Sequence, residues 1–217
     1  MDKELTTHNR TTSFHKKKMK PTIIGITGGI GGGKSMFSRF LMRRGELVYD
    51  TDMEARILQD SDESLQKRIK TEFGEDIYNA SGLDRAKLAN IVFADSSKLK
   101  LLNSIVHPAV VEDFKKWVDI NSNRKLLFME CAILFEGKLD NLVDKIIVVT
   151  APQEVRIQRV MKRDCVNEEN VLSRIRNQMP EPEKIKLADW VFHTNNDELP
   201  HKRVDEFLEK IYSSSGF

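Results

Sequence analysis

The chain has 217 residues, which is enough for one sizeable α/β core with an inserted subdomain. Apolar residues make up 40% and charged residues 31%, the composition of a globular protein rather than a disordered one. The 35 basic and 33 acidic residues are interspersed and leave a formal net charge of +2. This charge pattern gives no support to a nucleic-acid partner, and no apolar run approaches the length of a membrane span.

The N-terminus and the cysteines bear on location. Residues 1–18 are polar and lack hydrophobic periodicity, which predicts a disordered leader before a folded domain covering 19–217. The leader contains acidic residues, unlike an organellar transit peptide, and it has no signal-peptide core. Cys131 and Cys165 have neither disulfide nor metal spacing, which favours a reducing compartment. We therefore expect a cytoplasmic protein that does not associate with a membrane and has no obligate protein partner.

The first folded unit is a strand, a glycine-rich loop and a helix. The β-branched run Thr22–Thr27 predicts a strand, and apolar residues recur at helical spacing between Met36 and Met42. Between them, residues 28–35 (Gly-Gly-Ile-Gly-Gly-Gly-Lys-Ser) match the phosphate-loop pattern G-x-x-x-x-G-K-[ST]. The alternative is a glycine-rich turn followed by a chance Lys-Ser pair, and the flanking strand and helix argue against it.

Each residue type in this loop has a chemical reason. Glycines allow successive backbone N–H groups to turn towards phosphate oxygens, and the N-terminus of the following helix adds its dipole. Lys34 carries the charge that meets the β- and γ-phosphates, and the Ser35 hydroxyl is suited to Mg²⁺. The predicted ATP-binding residues are Gly31, Gly32, Gly33, Lys34, Ser35 and Met36.

Two carboxylates follow the second strand. The predicted strand Glu46–Tyr49 ends just before Asp50 and Asp52, and a helix is predicted over Met53–Leu58. Because ligands bind at the carboxyl edge of an open α/β sheet, at least one of these aspartates is predicted to act as a general base or to contact Mg²⁺-bound water. The alternative is that Asp50 or Thr51 caps the following helix, and both roles can hold together.

Residues 61–120 differ in character from the rest of the chain. They predict several helices with short links and no clear strand, and therefore a helical insertion between strands. The predicted helices are Glu63–Phe73, Arg85–Phe93, Leu99–Val106 and Pro108–Ile120. His107 lies at the junction of the last two, next to a proline suited to a first helical position. Contact with a ligand and a purely structural role stay equally open for His107.

The sheet is predicted to resume with the apolar runs Lys125–Glu130 and Asp144–Val149. The first run ends in a carboxylate, as a Walker-B strand does when its terminal acid contacts the Mg²⁺ shell. Many buried strands end in an acid. The pattern indicates a metal role for Glu130 only because a phosphate loop precedes it. Cys131, which follows directly, is predicted to be a small core residue.

Residues 153–177 are helical and rich in arginine. Arg159 and Arg163 lie four positions apart, on one helix face. In a phosphotransferase such a pair can close over ATP as a lid and neutralise developing charge. The alternative is a solvated helix face with Glu154 and Asp164 as partners.

The order of elements predicts the fold class. Alternating strands and helices indicate a P-loop kinase-like α/β fold, a doubly wound parallel sheet with an inserted helical subdomain and a helical lid. The last predicted elements are the strand Trp190–His193 and the helix Pro200–Tyr212. The predicted segments are a core of 21–60, 121–152 and 188–217, an acceptor-binding insertion of 61–120 and a lid of 153–187. No guanine-reading Asn-Lys-x-Asp stretch is present, which leaves a small-molecule kinase rather than a GTPase.

An ordered set of short motifs resembles the dephospho-CoA kinase family from residue 21 to about 195. The matching stretches are Thr27–Ser35, Asp50–Asp52 with Ala55–Arg56, Gly82–Arg85, Leu102–Asn103, His107–Pro108, Ile133–Glu136, Arg159–Asp164, Asn177–Met179 and Ala188–Asp189. The phosphate loop alone indicates only a superfamily, whereas the ordered set is more specific. The chain departs from the family pattern at Met36, Glu130 and Ala132, where Thr, Asp and Pro are common.

The resemblance implies ATP-dependent phosphorylation of the ribose 3′-hydroxyl of dephospho-CoA, the last step of coenzyme A synthesis. By matching position, Asp52 is the base or orienting carboxylate for that hydroxyl. The predicted site comprises catalytic Asp52, Lys34, Arg159 and Arg163, acceptor-binding Asp50, Asp52 and His107, and Mg²⁺-binding Ser35 and Glu130. Two alternatives stay open, a kinase of another small acceptor such as a nucleoside monophosphate, and a nucleotide-dependent switch without turnover.

Overall fold

The computed structural model describes residues 20–194 and 200–213, so the predicted leader lies outside the described residues. The strands are β1 (Thr22–Thr27), β2 (Val48–Asp50), β3 (Tyr78–Asn79), β4 (Gly82–Leu83), β5 (Leu126–Glu130), β6 (Lys145–Thr150) and β7 (Trp190–His193). The helices are α1 (Lys34–Arg43), α2 (Thr51–Ser61), α3 (Glu63–Phe73), α4 (Arg85–Ala94), α5 (Ser96–Ile120), α6 (Gln153–Asp164), α7 (Glu168–Arg176), α8 (Glu181–Lys186) and α9 (Pro200–Ser213). Among these described helices, none is long and apolar enough to cross a membrane.

Five strands form one parallel sheet in the order β2-β5-β1-β6-β7. The central strand β1 pairs with β5 on one side and β6 on the other. All residues of β5 are buried, as expected for a parallel strand that is covered on both faces. The predicted doubly wound parallel sheet is confirmed, and β7 has the bounds that the sequence predicts.

Helices cover the two faces of the sheet through separate apolar clusters. Side chains alternate along β1, so Ile23 belongs to the cluster with α3, α4 and α5, whereas Ile24 belongs to the cluster with α1 and α9. A third, smaller cluster joins α6 and α7 around Val160 and Val171. The arginine-bearing helices therefore have an apolar core of their own beside the sheet.

The predicted helix junction at His107 is wrong. A single helix, α5, continues through it with Pro108 inside. An internal proline removes one helical hydrogen bond and costs about 3 kcal/mol. The uninterrupted helix buries one long apolar face, formed by Leu102, Ile105, Val106, Val110 and Phe114. Because each large apolar side chain contributes about 1.5–3 kcal/mol when buried, this face outweighs the proline.

The prediction that no strand interrupts 61–120 is also wrong, because β3 and β4 form a short antiparallel hairpin. The backbone N–H of Ser81 donates to Oδ1 of Asn79 at 2.8 Å, and Gly82 has a φ of 103°. These are turn features. Strands of two residues are too short to produce an alternating hydrophobic pattern, so the sequence gives no strand signal here.

The segment 153–177 contains two helices, α6 and α7. Cys165 takes a φ of 53° at the end of α6, which stops that helix. Asn167 then caps α7, because its Oδ1 accepts the N–H of Asn170 at 3.0 Å. The short helix α8 follows and returns the chain towards the sheet.

Candidate active site

The loop between β1 and α1 has backbone dihedrals that require glycine. Gly31 has a φ of 79°, and a Cβ there would lie 2.4 Å from the backbone oxygen of Arg156. The helix α1 begins at Lys34 with Gly33 as its N-cap, and neither a side-chain cap nor an acidic residue occupies its first turn. The uncapped amides and the positive end of the helix dipole make this end of α1 suited to an anion such as phosphate.

Lys34 lies across the mouth of this loop. Its Nζ donates to the backbone oxygens of Gly28 at 2.9 Å and Gly29 at 3.4 Å. Burial lowers the pKa of Lys34, whereas the negative charges of Glu130 and Asp52 oppose that shift. The ammonium group therefore contacts the glycine loop and also interacts electrostatically with the two carboxylates that the sequence assigns to the site.

Ser35 and Glu130 are brought together. The Ser35 hydroxyl donates to Oε1 of Glu130 at 2.8 Å, and Glu130 is only 7% exposed. Burial raises the pKa of Glu130, and the hydrogen bond from Ser35 partly opposes the shift. The described residues contain no group of three or more His, Cys, Asp or Glu side chains arranged around a metal position. A hydroxyl and one carboxylate nevertheless suit Mg²⁺, which keeps several waters and takes phosphate oxygens as ligands.

Asp50 and Asp52 have different surroundings. Oδ1 of Asp50 accepts the N–H groups of Asp52 at 3.0 Å and Met53 at 3.1 Å, so Asp50 caps α2, as the alternative interpretation of the sequence required. Asp52 lies in the first turn of α2 and faces a cavity. Burial raises the pKa of Asp52, the charge of Asp50 adds to that shift, and Lys34 opposes it.

A cavity of about 190 Å³ lies between α2, α5 and the loop after β5. Its lining is mostly apolar with a few polar side chains, and consists of Thr51, Asp52, Ala55, Gln59, Leu102, Asn103, Val106, His107, Val110, Cys131, Ile133 and Leu139. His107 is half-buried, and burial lowers its pKa. A second cavity of about 450 Å³ lies next to the first, and both are lined by His107 and Leu139. The structure thus brings Asp52 and His107 to one cavity although α5 has no helix junction.

Arg159 contacts both the glycine loop and the end of β7. It donates to Oγ1 and to the backbone oxygen of Thr194, at 2.8 and 2.7 Å, and to the backbone oxygen of Gly31 at 3.4 Å. Together with Arg163 it lines a cavity of about 340 Å³ over the N-terminus of α1. The other lining residues are Gly31, Gly33, Lys34, Ser35, Met36, Arg39 and Val160.

Arg163 lies at the outer edge of that cavity. Its Nε donates to Asp164 at 2.7 Å, and 63% of its side chain is exposed. Asp164 also accepts a hydrogen bond from Arg174 at 2.6 Å, and the two arginines lower its pKa to about 2. Asp164, which the sequence suggested as an ion-pair partner of Arg163 on a solvated helix face, therefore does contact Arg163. Asp164 would keep Arg174 if Arg163 turned towards a phosphate.

Sequence reasoning missed several side chains behind the glycine loop. Gln178 and Glu181 accept the backbone N–H groups of Ile30 and Gly29, each at 2.9 Å, across about 150 residues of chain. Arg156 and Lys184 are buried beside them. The only sequence signal was the stretch Asn177–Met179, which resembles the family without indicating a role.

Comparisons with known proteins show what the chain is similar to. The family model for dephospho-CoA kinase matches residues 22–200. The chain is 38% identical over 195 residues to a dephospho-CoA kinase of Fusobacterium nucleatum, covering 89% of this chain and all of that protein. It is 41% identical over 193 residues to a dephospho-CoA kinase of Carboxydothermus hydrogenoformans, covering 87% of this chain and 93% of that one.

Solved structures are also similar to the chain over most of its length. A crystal structure from Thermus thermophilus is similar with a TM-score of 0.79 and 34% identity, over 90% of this chain and 100% of that one. The dephospho-CoA kinase of Campylobacter jejuni is similar with a TM-score of 0.66 and 26% identity, over 87% and 96% of the two chains. A shikimate kinase of Acinetobacter baumannii, at a TM-score of 0.53 and 15% identity, shares the fold.

Proposed function

Because the chain belongs to the dephospho-CoA kinase family, we propose that it transfers the γ-phosphoryl group of ATP to the ribose 3′-hydroxyl of dephospho-CoA. The observation that carries this proposal is the position of Asp52. This carboxylate faces the cavity between α2 and α5, and it also interacts electrostatically with Lys34 of the phosphate loop. A hydroxyl held in that cavity would therefore meet a carboxylate beside the bound phosphates.

On the nucleotide side, residues 31–36 hold the phosphates of ATP, and amides at the uncapped N-terminus of α1 donate to them. Lys34 leaves its present bonds to loop carbonyls and stabilises the charge that develops on the β- and γ-phosphates. Arg159 and Arg163 border the cavity of about 340 Å³ over the N-terminus of α1. When the lid segment 153–187 closes, they add positive charge around the phosphates. The kinase family implies ATP as co-substrate.

On the acceptor side, Asp52 accepts a hydrogen bond from the 3′-hydroxyl and orients its oxygen in line with the γ-phosphorus. As the new phosphorus–oxygen bond forms, the bond to ADP breaks and the hydroxyl proton passes to Asp52. His107 borders the acceptor. Asp50 supports Asp52 by capping α2. The helical segment 61–120 supplies much of the cavity wall and thereby determines which acceptor fits.

Mg²⁺ is the expected companion of ATP, and the chemistry of the residues present fits it. Ser35 Oγ and the Glu130 carboxylate would hold the ion. When bound, it would supply positive charge that neutralises the phosphates. The free thiols Cys131 and Cys165 support a reducing, cytoplasmic location.

A transfer assay with a panel of acceptors tests the proposal. The enzyme is incubated with ATP and, separately, dephospho-CoA, AMP, CMP or shikimate, and the product is analysed by mass spectrometry and ³¹P NMR. We expect dephospho-CoA to have the highest kcat/KM and the phosphate to appear on the ribose 3′-oxygen. Preferential transfer to a nucleoside monophosphate would contradict the proposed acceptor. ATP binding without transfer to any acceptor would favour a nucleotide-dependent switch.

A further inference from the structure

The chain segment 178–184, which contains the end of the link between α7 and α8 and the first residues of α8, contacts the phosphate loop on the side away from α1. Oε1 of Gln178 accepts the N–H of Ile30 at 2.9 Å, and Oε2 of Glu181 accepts the N–H of Gly29 at 2.9 Å. These two amides precede the residues assigned to phosphate binding. Because both hydrogen bonds are made inside the protein, they fix the path of the loop, while the N-terminus of α1, which has no side-chain cap, remains for the nucleotide.

A buried ion pair supports the carboxylate. Arg156 Nη1 lies 3.5 Å from Oε2 of Glu181, and the two side chains are 6% and 12% exposed. Arg156 Nε and Glu181 Oε1 have no hydrogen-bond partner within the described part of the chain. A Cβ on Gly29 would lie 2.0 Å from Arg156 Nη1 and 2.5 Å from Glu181 Oε2, so the pair packs directly against the loop. Loss of Glu181 would leave both an amide and a guanidinium unpaired at low exposure.

The same segment is anchored on its other side. Lys184 is fully buried, and its Nζ lies 2.9 Å from Oε1 of Glu136 and 3.3 Å from the backbone oxygen of Ala132. Oε1 of Glu136 also accepts the N–H of Met179 at 2.8 Å. Glu136 and Ala132 belong to the loop after β5. That loop also lines the acceptor cavity. Segment 178–184 therefore contacts the loop after β5 on one side and the phosphate loop on the other.

We propose that Gln178 and Glu181 are positioning residues that keep the phosphate loop in its nucleotide-binding shape before ATP arrives. The physical reason is that ATP binds only those molecules whose loop already has the binding conformation. If only a fraction of the molecules hold a competent loop, the apparent dissociation constant equals the intrinsic one divided by that fraction. A glycine-rich loop has many alternative conformations, and two side-chain acceptors on consecutive amides remove most of them. The inference depends on the proposed function only for the identity of the nucleotide.

The test compares three variants with a matched control. Glu181→Ala and Gln178→Ala each remove an acceptor, Glu181→Gln keeps an oxygen for the N–H of Gly29, and Glu183→Ala removes an exposed carboxylate from the same helix. ATP dissociation constants are measured without acceptor, together with the separate KM values for ATP and dephospho-CoA and the melting temperature. We expect Glu181→Ala and Gln178→Ala to weaken ATP binding by roughly 10-fold, the effect of a competent fraction near one tenth.

The expected pattern also separates positioning from plain stability. Glu181→Gln should recover most of the ATP affinity, Glu183→Ala should behave as wild type, and the KM for dephospho-CoA should stay within about 2-fold. Unchanged ATP affinity in folded Glu181→Ala and Gln178→Ala proteins would overturn the inference, even if their melting temperatures fell. The ATP titration needs no acceptor. Failure of this inference is therefore distinguishable from failure of transfer to dephospho-CoA.

Discussion

Replacing Asp52 by Asn tests the acceptor side of the site, because this change keeps the size of the side chain and removes its charge and basicity. Asp52 faces the acceptor cavity and is electrostatically coupled to Lys34. Loss of a positioned acid–base group lowers kcat by roughly 10²–10⁴. That corresponds to about 2.7–5.4 kcal/mol of barrier. Because the bonds that define the phosphate loop do not involve the Asp52 side chain, ATP affinity should survive within a few-fold.

The fold should tolerate the same change. Asp52 lies in the first turn of α2, where a negative charge contributes about 0.3–1 kcal/mol through the helix dipole. This loss is offset in part, because burial and the charge of Asp50 disfavour the ionised carboxyl, as the raised pKa of Asp52 indicates. The Asp50 cap is retained. We expect the melting temperature to change by no more than a few degrees.

The assay measures kcat with dephospho-CoA beside an independent ATP titration, with Glu54→Gln as a control in the same helix. Since the pKa of Asp52 is raised above its usual value of 3.8, the acid limb of the wild-type kcat profile should fall above that pH. Asp52→Asn should alter that limb. If Asp52→Asn loses ATP binding and transfer together, Asp52 belongs to the metal site, and Asp50 or Glu130 becomes the better candidate for the base.

Further substitutions test the nucleotide side. Lys34→Ala should lower kcat by at least about 10³ with an unchanged circular dichroism spectrum, because it removes charge at the phosphates, and a normal kcat in the folded variant would refute the assigned site. Arg159→Ala and Arg163→Ala should each lower kcat more than ATP affinity, as steady-state kinetics and a nucleotide titration can show, whereas normal turnover in both would favour a solvated helix face. Gly31→Ala should lower both the melting temperature and ATP affinity, because its Cβ would lie 2.4 Å from a backbone oxygen of α6. Gly45→Ala is its matched control, with a φ of 83° and no atom within 4 Å of the added Cβ, and an equal loss in the two variants would show that backbone strain alone is responsible.

The parts of the fold that the sequence predicts well are those with a long local pattern. The strand β1 and the helix α3 have the predicted bounds because apolar side chains recur at a clear period over several residues. The two-residue strands β3 and β4 carry no such pattern. The continuous helix α5 shows the reverse error, since Pro108 is a strong local signal that burial of a long apolar face overrides.

The candidate site divides in the same way. The residues proposed to bind phosphate are adjacent in the chain, so residue type and spacing are enough to predict them. The support behind the loop depends on contacts between residues 148 and 152 positions apart, made by Gln178 with Ile30 and by Glu181 with Gly29. A single glutamine in a link between helices, or a single glutamate at the start of a polar helix, gives no indication of such a partner. These residues become visible only when the chain is folded.

The acidic side chains at the sheet edge, Asp50, Asp52 and Glu130, reduce the stability of the fold but are needed for the proposed function. The pKa of both Asp52 and Glu130 is raised, chiefly by burial and further by the charge of Asp50. A carboxyl whose pKa is raised on folding stabilises the folded state fully at a pH below its pKa in the unfolded chain. This stabilisation is lost as the pH rises through its pKa in the folded protein. Once ionised, both carboxyls therefore favour folding less than they do when protonated. Lys34 provides only partial compensation, since burial lowers its own pKa. Uncharged side chains would give a more stable edge, but they could not accept a hydroxyl proton or attract a divalent cation. The same carboxylates that reduce the stability of this edge are therefore the ones that the proposed phosphoryl transfer needs.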